Sequence, residues 1–126
     1  MNRISPIAFL FSVISLSALT ATAAELQATP SRQTLLTRDV ALPSTQMQTH
    51  VIRVEFPPGF KTPAHTHEGQ GPRYVIKGHL KVEDGGKTQV YGPGDVFWET
   101  GEPMTVENVG GSEAEFVIFE IAPAAH

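Results

Sequence analysis

The chain has no cysteine among its 126 residues. Without disulfides the fold relies on packing alone, which suits a β-barrel better than a small loop-rich scaffold. Positive charge is also scarce, with nine Lys and Arg against thirteen Asp and Glu. That balance argues against nucleic acid or an anionic membrane as partner, because both require a basic patch. Helical periodicity is missing beyond the first two dozen residues, and there is neither a repeat nor a low-complexity segment. Only one long apolar stretch occurs, at the start, and nothing after it is suited to span a membrane.

That stretch has its own logic. Asn2-Arg3 gives a basic start, residues 7–19 are apolar apart from Ser12, Ser15 and Ser17, and Ala21-Thr22-Ala23 places small residues where a signal peptidase needs them. The expectation is a signal peptide over residues 1–23, cleaved after Ala23 or Ala24, and a periplasmic or secreted protein. The apolar run is short of the roughly 20 residues of a spanning helix. Removing it leaves about a hundred residues, enough for one domain. Eight basic and thirteen acidic residues then give a net charge of −5.

Strands and turns follow one another through the rest. Residues 24–46 read as a leader with a first strand over 34–40, broken by Pro43-Ser44. Residues 47–56 alternate cleanly, with His50, Ile52, Val54 and Phe56 on one face. Pro57-Pro58-Gly59 stops that strand. Further strands are expected over 74–77, 79–83, 88–91, 96–99, 104–108 and 114–121, with residues 122–126 as a tail. Asp84-Gly85-Gly86-Lys87 is a hairpin signal, since glycine accepts the positive φ of tight primed turns. About eight short strands bounded by Gly or Pro indicate an antiparallel sandwich or barrel.

His65-Thr66-His67 carries the chemistry. On an extended backbone side chains alternate, so both imidazoles lie on one side. They are placed to converge on one cation, and imidazole suits zinc, copper, iron or nickel. The alternative is a polar pair that binds a ligand directly, or is hydrogen-bonded at a barrel mouth.

Gly59, five residues, His65, one residue, His67, and then Tyr74-Val75-Ile76-Lys77-Gly78 resemble the first motif of the cupin superfamily. Residues 94–108 resemble the second, with Gly101 and Asn108 in register. The resemblance spans roughly residues 47–121. It implies an all-β fold, a single cupin-type antiparallel jelly-roll β-barrel that is often a homodimer. It also implies a divalent transition metal (Fe, Mn, Cu, Ni or Zn) held by three histidines and a glutamate. Two slots depart from that pattern: Gly71 stands where the family has its glutamate, and Met104 where it has its last histidine. Glu99 replaces the motif proline.

Other residues are candidates to complete the site. Gln70 adjoins the missing glutamate's slot and is the expected third metal ligand beside His65 and His67. Met104 offers a thioether and His50 a further imidazole, while Glu68 and His79 are expected to point away. Arg73 lies two residues beyond Gly71, on the same strand face, where a buried cation requires a carboxylate partner. Glu99, Glu102 or an acidic substrate would serve. Trp98 and Phe97 alternate, so one of them should give the pocket an aromatic wall. Tyr74 either helps from the opposite parity or packs outside at a dimer contact. Arg73, Tyr74 and Trp98 are the expected substrate-binding residues, and Glu99 the expected catalytic base. The functional expectation is a small cupin that binds a small molecule, with metal-dependent oxidoreductase, isomerase or lyase chemistry. The alternative is a non-catalytic periplasmic binding or sensing module without metal, and a storage role is the weakest reading.

Overall fold

Alternating side chains sort this chain into an apolar interior and a mixed exterior. The computed structural model describes residues 29–125; the expected signal peptide lies outside the described residues. Contacts divide the chain between Arg32 and Gln33, and the domain is the part from Gln33 onward. Seven strands are present among the described residues: β1 (Met47–Phe56), β2 (Gly71–Lys77), β3 (Leu80–Asp84), β4 (Lys87–Tyr91), β5 (Val96–Glu99), β6 (Met104–Asn108) and β7 (Ala114–Pro123). The fold is all-β and antiparallel, in two sheets ordered β1-β7-β2-β5 and β4-β3-β6.

The core lies between the sheets. Phe56, Val75, Phe97, Phe116 and Ile118 from the first sheet face Leu80, Val82, Met104 and Val106 from the second. Phe56 and Phe116 meet edge to face with centroids 5.3 Å apart, and Phe97 stacks on Tyr91 at 5.0 Å. The β3–β4 hairpin closes through Gly85 and Gly86 at φ 56° and 78°, the two positive angles a type I′ turn requires. Asn108, 1% exposed, ties the end of β6 to its surroundings. Its amide donates to the carbonyls of Phe56, Pro57 and Ser112, and its side-chain oxygen accepts from the Gly110 N–H.

Two expectations are corrected here. Residues 34–40 form no strand; they run as exposed coil, with Leu35 51% exposed. Leu35 and Leu36 are adjacent, so no alternating face is available to bury. The histidine segment is not a full strand either. It follows β6 through isolated bridges, Lys61 to Glu107 and His65 to Met104, and then meets β7 through Gln70 and Ile121.

Candidate functional site

The bridge between His65 and Met104 positions the first histidine. The His65 N–H donates to the Met104 carbonyl at 3.0 Å, and the Met104 N–H returns the bond at 2.9 Å. Two residues on, His67 projects to the same side, and the two Nε2 atoms lie 3.2 Å apart. The opposite nitrogens are both anchored. His65 Nδ1 meets the Pro63 carbonyl at 2.9 Å, and His67 Nδ1 meets Glu120 Oε2 at 3.2 Å. A carbonyl and a carboxylate only accept, so each Nδ1 is placed to donate while each Nε2 faces the other histidine. Glu99 Oε2 stands 3.1 Å from His67 Nε2. The two Nε2 atoms and one Glu99 oxygen therefore converge.

Behind them lies a buried ion pair. Arg73 is fully shielded and donates Nη2 to Glu99 Oε2 at 2.7 Å, while Nη1 donates to the Gly71 carbonyl at 2.7 Å. Of the two carboxylates expected as partner, Glu99 takes the role; Glu102 is exposed. Arg73 Nε is buried without a partner, an open donor beside the site. Arg73 thus faces inward as expected, and two of its bonds go to Glu99 and to the Gly71 carbonyl. Glu99, 2% exposed, lies between Arg73 and His67.

The remaining candidates separate. Gln70 turns its amide to the Ala41 carbonyl at 3.4 Å and away from the imidazole pair. It borders the same depression as His67. Tyr74 and Trp98 have the opposite parity to Arg73 and Glu99, so both lie on the outer face of the first sheet, apart from the site. Trp98 packs under Arg38, whose guanidinium carbon is 5.7 Å from the ring centre. Glu68 and His79 are exposed, as expected, and Met104 is a core residue. His50 approaches from β1, with Nδ1 3.5 Å from Glu120 Oε1, and so reaches the cluster through Glu120. Glu120 itself was not singled out in the sequence. Its signal was its place in the period-two series Ala114, Phe116, Ile118, Glu120, Ala122, an acid on an apolar face.

An open depression of about 320 Å³ leads to His67, bordered by Gln70, Thr100, Gly101 and Ile121, with Ala41 and Pro43 along one side. Two anchored imidazoles suit a first-row transition metal. Among the described residues, no group of three or more His, Asp or Glu is placed to hold a metal ion.

Residues 52–120 match the Cupin domain family. An oxalate-binding protein of Thermotoga maritima is 36% identical over 67 residues, 52% of this chain and 55% of its own length. The match thus spans about half of that relative. A crystal structure from the same organism, described as a predicted oxalate decarboxylase, superimposes with a TM-score of 0.51 at 32% identity, covering 59% of this chain and 65% of that one. A double-stranded β-helix cupin of Methanocaldococcus jannaschii, at 19% identity and a TM-score of 0.53, shares the fold over 60% of this chain and 70% of its own. With the paired sheets, the mouth histidines and a family match over more than half the sequence, this chain belongs to the cupin family.

Proposed function

We propose that this cupin binds a small chelating acid of the oxalate type through a divalent transition metal held on His65 and His67. The observation that carries the reading is the pair of Nε2 atoms 3.2 Å apart, each ring anchored through its other nitrogen. Arg73 is buried and neutralised by Glu99, so the positive charge that an acid needs comes from what the histidines hold. When bound, such an ion polarises a coordinated oxygen and, if redox-active, supports oxidation, isomerisation or lyase chemistry. Glu120 orients His67, Arg73 holds Glu99 in place, and Gln70 lines the approach. The relative named for oxalate binding supports the ligand class.

The sequence of residues 1–23 supports export to the periplasm or beyond. A homodimer is supported by the outer face of the first sheet. There Val51 pairs with Phe119, and Tyr74 with Val117 and Val96, an apolar stripe where an antiparallel sheet usually turns polar residues outward.

Elemental analysis after incubation with iron, manganese, copper, nickel or zinc tests the reading. About one ion per chain is expected, lost in His65→Ala/His67→Ala, with oxalate binding seen by calorimetry only in the loaded protein. Oxalate binding that is equal with and without metal points to the metal-free binding module, which the two departed ligand slots at Gly71 and Met104 favour.

A further inference from the structure

We infer a second ligand site in the gap between β4 and β5, suited to a small aromatic carboxylate. Strand β4 inverts the pattern of its sheet. Lys87, Gln89 and Tyr91 stand opposite Asp84, Val82 and Leu80 in the β3–β4 ladder. Directly opposed residues share a face, and Val82 and Leu80 belong to the core. The inner face of β4 is thus Lys87, Gln89 and Tyr91, while Val90 points outward and is 51% exposed. A strand laid over a core ordinarily turns its apolar residues in and its polar ones out. Here β4 and β5 are both sheet edges, and the space between them is a cavity.

The cavity measures about 340 Å³, and Leu36 and Arg38 of the coil before β1 border it. Its walls are aromatic: Tyr91 stacks on Phe97, and Trp98 lies under the Arg38 guanidinium. Its cations are unengaged. Arg53, Lys61, Arg73, Lys77 and Lys81 each pair with a glutamate. Arg38 and Lys87 are the two remaining Lys and Arg of the domain, and neither has such a partner among the described residues. Both border this one cavity, in a chain whose net charge is −4. Asp84 borders it too, but its two oxygens already accept from the Thr100 N–H and hydroxyl. Two cations against one engaged carboxylate favour an anion. The Tyr91 hydroxyl, raised above its ordinary value by burial and by Asp84 and Asp95, keeps its proton and is a neutral donor on the same wall. An arginine stacked on an indole still presents its in-plane N–H fork to a carboxylate. A space near the lower end of the usual range of about 300–1,000 Å³ suits a ligand of one ring.

None of the residues bordering this cavity is His65, His67, Arg73 or Glu99, so the site stands or falls apart from the mouth. Trp98 is the single tryptophan of the chain, and its emission reports the cavity directly. Benzoate added to the purified protein is expected to change that emission saturably, with calorimetry giving the same affinity. Benzyl alcohol, the uncharged analogue, is expected to bind at least about tenfold more weakly, and Arg38→Gln/Lys87→Gln to weaken benzoate by a similar factor. Both cations are exposed, so the fold tolerates their loss. His65→Ala/His67→Ala is expected to leave benzoate binding unchanged. No saturable binding at millimolar benzoate overturns the site. Binding lost with the histidines also overturns it, by placing the ligand at the mouth. Unchanged affinity in Arg38→Gln/Lys87→Gln, or equal affinity for benzyl alcohol, overturns the recognition of charge on which the site rests.

Discussion

Arg73 and Glu99 form an ion pair 2.7 Å long in the barrel interior, with side-chain exposures of 0% and 3%. Removing one member of such a pair strands the other charge away from water. Arg73→Met is therefore expected to destabilise the fold by about 3–5 kcal/mol. Replacing both, as in Arg73→Met/Glu99→Leu, is expected to recover most of that loss, since an apolar pair of similar volume needs no counterion. Urea denaturation of the single and double variants reads the difference directly. Equal losses in both would mean that packing, not charge pairing, sets the stability here.

Glu120 acts on the site through the far side of an imidazole. Its Oε2 holds His67 Nδ1 at 3.2 Å and so fixes which nitrogen faces the mouth. Outer carboxylates of this kind typically govern metal affinity by 10–100-fold. Glu120→Gln is expected to weaken metal binding within that range while keeping the stoichiometry, measured by dye competition. An unchanged affinity would show that the tautomer is set by something other than Glu120.

Gly71 cannot be returned to the family residue. Gly71→Glu drives a Cβ into the Phe119 carbonyl, a backbone atom of the central strand β7 that cannot give way as a flexible side chain would. The variant is expected to lose about 4 kcal/mol or more, and to gain no metal affinity in whatever fraction folds. Thermal melting and cobalt titration check both halves. A stable variant with tighter binding would mean that β2 and β7 separate more easily than this packing implies.

Much of the fold was legible in the sequence because turn residues punctuate it. Pro57-Pro58-Gly59, Gly85-Gly86 and Gly110-Gly111 mark strand ends, and between them alternation names the inner face: Phe56, Val82 and Phe116 all lie inside. The mouth histidines and the inward Arg73 were legible on the same ground. What was not legible depends on contacts between strands distant in sequence. Which of Glu99 and Glu102 meets Arg73 is settled by the β2–β5 register, and Glu120 enters only because β7 lies between β1 and β2. Tyr74 and Trp98 stand apart from the histidine pair for a simpler reason. Neighbouring positions on a strand face opposite ways, so once Arg73 and Glu99 point in, Tyr74 and Trp98 point out.

Alkaline conditions probe the interior from another side. Burial against Phe97, with the Asp84 and Asp95 carboxylates nearby, raises the Tyr91 hydroxyl above its ordinary value of 10.0. The folded chain therefore holds that proton more firmly than the unfolded chain does. The resulting stability is fully present below about pH 10 and is lost as pH rises through the higher folded value. Lys77 and Lys81, raised by hydrogen bonds to Glu113 and Glu107, push the same way, but these pairs are at the surface and screened by salt. Denaturation measured at high salt from neutral pH upward is thus expected to show a decline above pH 10 that flattens in Tyr91→Phe. That variant keeps the stacked ring and has no proton to lose, so an equally steep decline would assign the effect to another group.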